Sequence, residues 1–210
     1  MRALRSPAAR RTVFLTPGAA EHRLGDWAGE VPAPHRTRAC RGRVLVVDGL
    51  TGSGKSWLAR GVLRRAPRAR LLAVEEHVPG WSGLAEGARR CGGALAALDR
   101  GHGATLATWD WETGAPGRPL ALPPLEGGCL VMEGCGALAA AARPLPHLAV
   151  LRVLVTAPAS LRLARIAARD VYDWDVDAWQ EQEREVNRAW RPPAGRGRPG
   201  WGPDVVVRQG

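Results

Sequence analysis

The stretch RVLVVDGLTGSGKSWLARGV, Arg43 to Val62, decides how the rest of the chain is read. Val44 to Val47 are apolar and mostly β-branched, which predicts a short strand. A glycine-rich turn follows, then a helix beginning near Lys55. Gly49, Gly54, Lys55 and Ser56 stand at the spacing G-x-x-x-x-G-K-[ST] of a phosphate-binding loop. Gly49, Gly52 and Gly54 let the backbone take positive φ and approach an anion with no Cβ in the way. Leu50, Thr51 and Ser53 complete the loop, and Trp57 follows it on the helix. Loop amides and the positive end of that helix converge on a phosphate. Lys55 is placed to reach the outer phosphates of a nucleotide, and Ser56 to offer a hydroxyl to Mg²⁺.

Lys55 is the only lysine, although lysine and arginine together number 30. Elsewhere a positive charge is supplied by arginine. A compact ammonium fits inside a phosphate-wrapping loop where a planar guanidinium does not.

A chain of 210 residues suits one domain with a sizeable core. The Arg-rich, poorly periodic segment 1–42 reads as a basic arm with at most a short helix over Ala19–Ala28, and 43–210 as the domain. No run approaches 18 apolar residues, so no membrane partner is expected. Cys40, Cys91, Cys129 and Cys135 lack metal-like or paired spacing, which suits free thiols in a reducing cytoplasm. The formal charge of +10 invites a nucleic-acid reading. The arginines are dispersed through an Ala-, Gly- and Pro-rich chain, which speaks against it.

Apolar runs at Leu71–Val74, Cys129–Met132, Leu148–Val155 and Asp204–Val207 predict further strands. A moderately alternating run, Thr105–Trp111, and Leu120–Leu122 predict shorter ones. Helices are expected over Leu84–Leu98, broken or weakened at Gly92-Gly93, over Pro158–Asp170 and over Asp175–Trp190, with loop from 191 to 203. This alternation predicts an α/β fold, a parallel sheet flanked by helices. Ligands in such sheets gather at the carboxyl ends of the strands. Asp48, Glu75 with Glu76, and Glu133 each follow an apolar run, so they are expected on one edge beside the loop.

Phosphoryl transfer is mostly positioning and charge neutralisation. Glu133 is a candidate to support Mg²⁺ with Ser56, or else caps the turn after its strand. Glu75 or Glu76 could orient an acceptor hydroxyl, or form a solvated acidic loop. Arg162, Arg165 and Arg169 share one helix face and could close over phosphates, or stand as an exposed basic face. Trp81, Trp109 and Trp111 could stack on a flat base or simply fill grooves. Trp174, Trp179 and Trp190 read as packing for their helix. His77 and His102 receive no role.

In order, GLTGSGKS, VEEHVPGWSGL, WDWETG, LVMEGCG, the Arg-rich helix ending in ARD, and PDVVV resemble the uridine kinase-like branch of P-loop nucleoside kinases, over roughly residues 43 to 208. The resemblance implies a P-loop NTPase three-layer sandwich with a short Arg-bearing lid. It implies transfer of the γ-phosphate of ATP, with Mg²⁺, to the hydroxyl of a small molecule, typically a nucleoside. On this chain it makes Glu75 the acceptor-side base and Glu76 its neighbour. Trp109-Asp110-Trp111 falls on the acceptor side, and Arg165 with Arg169 in the lid. The chain departs from the family with Glu75 in place of aspartate, Val78 in place of a tyrosine, and Trp57 in place of a small residue, which leaves open a kinase of another small alcohol or an ATP-binding regulatory protein that has lost transfer.

Overall fold

The computed structural model describes residues 12–30, 40–188 and 202–210. Strand β2 (Gly42–Asp48) is the centre of the fold, and from Val44 to Asp48 every residue is buried. That continuous apolar run is what a parallel strand covered on both faces requires.

Around β2 lie five more strands. They are β1 (Val13–Leu15), β3 (Arg70–Ala73), β8 (Cys129–Glu133), β9 (Leu148–Thr156) and β10 (Val205–Arg208), once the four short strands below are counted in chain order. The spatial order is β1-β10-β9-β2-β8-β3, and every pairing is parallel. Parallel neighbours need crossovers, and helices supply them. Helices α1 (Pro17–Gly29) and α2 (Lys55–Arg65) cover one face, where Leu24, Leu58 and Val62 meet Leu45, Val47 and Val131. Helices α3 (Leu84–Asp99), α4 (Ala137–Ala140) and α6 (Val176–Arg188) cover the other, against Val44, Val46, Leu130 and Met132. Alternate residues of one strand thus serve two cores, which makes the three layers. Helix α5 (Ala159–Arg169) lies at the carboxyl end of the sheet and buries only Arg162 and Ile166.

Four differences from the sequence reading matter. Strand β1 pairs with β10 in register from Val13 opposite Val205, and α1 packs Ala20, Leu24 and Ala28 into a core. Residues 12–30 therefore belong to the domain that the sequence places at 43–210. The expected strand Thr105–Trp111 is two, β4 (Ala104–Leu106) and β5 (Trp109–Asp110), each in its own antiparallel ribbon with β7 (Leu120–Leu122) and β6 (Ala115–Pro116) respectively. Helix α3 runs through Gly92-Gly93 unbroken. A Cβ on Gly92 would stand 2.9 Å from the Ala140 carbonyl, so the glycine lets α4 approach, while Gly93 faces open space. Finally, β3 ends at Ala73, and Val74–His77 form one 3-10 turn. The expected loop 191–203 and Trp190 fall largely outside the described residues.

Candidate active site

The phosphate loop leaves the buried end of β2. Gly52 and Gly54 have φ of +76° and +93°, the left-handed region that glycine adopts without strain. A Cβ on Gly52 would lie 2.5 Å from the Arg162 carbonyl oxygen, and one on Gly49 would lie 2.4 Å from that of Val155. The loop is thus seated against β9 and α5. Asp48 anchors its start. Its carboxylate accepts from the amides of Gly49 (2.6 Å), Gly136 (3.3 Å) and Leu138 (2.7 Å), tying β2 to the start of α4. Burial still dominates these bonds and raises its pKa to about 6.

Lys55 heads α2 and is almost fully buried, with Nζ 3.2 Å from Glu75 Oε1. Burial works against its charge. The Cys135 sulfur and the carboxylates of Glu75, Glu133 and Glu183 outweigh it, so its pKa stands well above the lysine range. In return the Lys55 charge holds Glu75 below the usual carboxylate range against its own burial, with help from Arg169. Glu133 moves the other way, raised first by burial and then by the charge of Glu75. Two neighbouring carboxylates with opposite shifts mark a site organised around one cation.

Ser56 Oγ donates to Glu133 Oε2 at 3.0 Å. A hydroxyl and a carboxylate side by side at the mouth of a phosphate loop suit Mg²⁺, which takes one or two protein oxygens and completes its shell with phosphate and water. A cleft of about 760 Å³ opens over this group, lined among others by Gly52, Gly54, Lys55, Ser56, Trp57, Glu75, Glu76, Glu133, Arg165 and Arg169. Pro17 and Gln209 line it too, and no sequence motif points to either. Pro17 arrives with α1, from the segment read as an arm. Gln209 follows β10, and its side chain packs on Gly54 and accepts from Arg165 Nη2 at 2.9 Å.

The three arginines divide. Arg165 Nη1 also donates to the Gly52 carbonyl at 3.2 Å, at the cleft. Arg169 lines the cleft, its guanidinium held in two bonds of 2.6 and 2.9 Å to Asp170. Arg162 is not on an exposed face. It is buried beneath the loop and donates to the Thr51 carbonyl at 3.3 Å, so its place is support of the loop rather than contact with a nucleotide.

A second cavity of about 370 Å³ adjoins the first, with Glu75, Trp111 and Arg169 common to both. Its walls are Trp81, Trp111, Tyr172, Trp174 and Trp179. Trp81 is the hub. It stacks on Trp174 at 5.2 Å and meets Trp111 edge-on at 5.0 Å, with Tyr172 and Trp179 each at 6.1 Å. Trp111 is fixed by its Nε1, which donates to the Glu75 carbonyl at 3.0 Å. Trp81 and Trp111 thus both line this second cavity. Trp109 and Asp110 do not line either cavity; the Asp110 carboxylate accepts from the amides of Glu112 and Thr113 and shapes the turn. Trp174 and Trp179, read as helix packing, join the cavity wall with Tyr172. Val78 is fully buried against Gly87, so the departure from a tyrosine there is a core residue. His77 is also buried, its Nδ1 2.9 Å from the Ala107 carbonyl, where it ties the 3-10 turn to the ribbon after β4.

No family model and no curated protein matches this sequence. Solved structures do match by shape. A Bacillus stearothermophilus protein described as a possible uridine kinase aligns over 89% of this chain and 98% of its own, at 19% identity and a TM-score of 0.45. A Silicibacter protein provisionally described as a fructose transport system kinase aligns over the same shares, at 14% identity and a TM-score of 0.50. With the parallel sheet and the loop between β2 and α2, the chain has the α/β fold of the P-loop kinases. Among the described residues no helix is long and apolar enough to cross a membrane.

Proposed function

We propose that the protein is an ATP- and Mg²⁺-dependent kinase that moves the γ-phosphate of ATP to a hydroxyl of a small molecule, with nucleosides the first acceptor class to test. The observation that carries this is the position of Glu75. It stands at the junction of the phosphate cleft and the aromatic cavity, ion-paired with Lys55. A donor held by the loop and an acceptor held among the rings would meet at its carboxylate.

In this reading Lys55 and the loop amides not already bonded to Asp48, Glu183 and the Leu50 carbonyl hold the β- and γ-phosphates. Ser56 and Glu133 are the residues that would hold Mg²⁺, which supplies neutralisation of the charge that develops on the transferring oxygens. Glu75, kept ionised by Lys55, accepts the proton of the acceptor hydroxyl or orients it. Arg165 and Arg169 face the transferring group and offset its charge. Trp81 and Trp111 present ring faces to the acceptor. Three buried free thiols, Cys91, Cys129 and Cys135, fit a cytoplasmic place of action.

A second reading keeps the chemistry and changes the acceptor to another small alcohol. Its support is the spacing of the rings. A flat base between two parallel walls needs about 7 Å, two van der Waals contacts. The one near-parallel pair, Trp81 and Trp174, is 5.2 Å apart. A base would have to lie on one outer face, which leaves room for non-planar alcohols.

The test is ATP turnover by the Lys55→Ala variant. A loss of about 100-fold or more, the scale set by removing one group that stabilises transition-state charge, with cooperative melting retained, is the expected result. Turnover equal to wild type sinks the proposal.

A further inference from the structure

We propose that Glu183 is a positioning residue of the phosphate loop, gripping the Thr51 amide from α6; this rests on the nucleotide reading above. Glu183 is 1% exposed and lines neither cavity, so it acts through another residue rather than on a ligand. Its Oε1 accepts two bonds, from the Thr51 amide at 2.7 Å and from the Cys135 thiol at 2.9 Å. Its Oε2 is buried with no hydrogen-bond partner among the described residues.

A buried carboxylate with one bare oxygen is a costly way to fasten a helix, and an apolar side chain would serve that end better. What an apolar side chain cannot do is accept the Thr51 N–H. On the opposite side of the same residue, the Thr51 carbonyl accepts from Arg162. The third residue of the loop is therefore held at both its amide and its carbonyl, by α6 and α5 in turn. A loop that binds anions by converging amides gains affinity when its conformation is fixed beforehand.

The same face of α6 reaches the acceptor side. Trp179, four residues before Glu183, walls the aromatic cavity. Gln182 donates to the Trp81 carbonyl at 2.7 Å and accepts from the Leu84 amide at 3.3 Å. One helix thus sets the position of both the loop and the ring at the hub of the cavity.

Three variants measured by calorimetry with a non-hydrolysable ATP analogue and Mg²⁺ test this, with thermal melting as the check of the fold. Glu183→Gln keeps the reach and an accepting oxygen. Glu183→Asp keeps the charge and shortens the reach by about 1.5 Å. Glu183→Ala removes both. Leaving a buried amide without its acceptor is expected to weaken analogue binding about tenfold in E183D and E183A. In E183D, amide exchange over residues 49–56 should rise while that of α3 stays constant. E183Q should restore the affinity to within about threefold, the spread expected of one hydrogen bond exchanged for another. Folded E183D or E183A that binds as wild type does would overturn the inference, and so would E183Q as weak as E183D, since charge rather than grip would then matter. If E183A does not fold, the pair E183Q and E183D decides alone. A wild-type protein that binds no analogue overturns the nucleotide reading itself, a different result from equal binding by all four proteins.

Discussion

Lys55 is buried beside Glu75, with Glu133 and Glu183 also acting on its charge, and this arrangement sets the electrostatics of the site. Asp48 sits one step behind it and gives a clean pH signature. Burial lifts its pKa from 3.8 to about 6 in the folded protein. Between those values the native state holds a proton that the unfolded chain has released. The contribution of Asp48 is therefore present at low pH and falls as pH rises from about 4 to 6, by on the order of 2–3 kcal/mol. The difference in unfolding free energy between wild type and Asp48→Asn, measured by denaturant titration across that range, should carry this slope; a flat difference would contradict it. Gly52→Ala asks for positive φ at a non-glycine residue and drives a Cβ to 2.5 Å from the Arg162 carbonyl. Strain of this kind costs about 1–3 kcal/mol. The variant should melt earlier and bind the ATP analogue more weakly, and a variant with wild-type melting and affinity would show that the loop relaxes freely.

Among the elements, α1 shows how much a sequence-level boundary can miss. A short helix at Ala19–Ala28 is legible, but its packing is not: its large apolar residues are only Leu24 and Trp27, and β1 is three residues long, so neither element stands out beside the strong apolar runs later in the chain. Their partners lie far off in sequence, β10 at Val205–Arg208 and α2 at Lys55–Arg65. Leu24 is 2% exposed between α1 and the sheet. Its replacement by alanine should cost about 2–5 kcal/mol, the range for a buried leucine, and each kcal/mol should lower the melting temperature by about 2–4 °C in a chain of this size. An unchanged melting temperature would restore the picture of a loose arm. Helix α6 is the converse case. Its existence is legible, but the use of its inner face is not. Glu183 looks like one more charged residue in a polar helix until the fold places Thr51 and Cys135 against it.

At the scale of the molecule, the half of the candidate site proposed to bind phosphate was legible because it is local. Gly49 to Ser56 are consecutive, and their spacing alone states the backbone geometry. Glu133 and Glu75 were legible because strand ends in a parallel sheet share one edge. The proposed acceptor half was legible only in part. Trp81 and Trp111 carry a local signal, whereas Tyr172, Trp174 and Trp179 come to the cavity through the packing of α5 and α6. Four of the nine tryptophans and the only tyrosine gather there. A concentration of rings of that order, with Trp81, Trp111 and Tyr172 exposed, next to a carboxylate and a phosphate loop, is what a ligand site looks like. The account therefore stands on Glu75 linking the two cavities. The most direct measurement is ATP consumption by wild type and Glu75→Gln against a panel of nucleosides and small alcohols. The account predicts that at least one acceptor stimulates consumption in wild type, and that Glu75→Gln loses about 100-fold or more of it, within the range for a general base. ATP bound by wild type with no acceptor phosphorylated, or a Glu75→Gln variant as active as wild type, would contradict it.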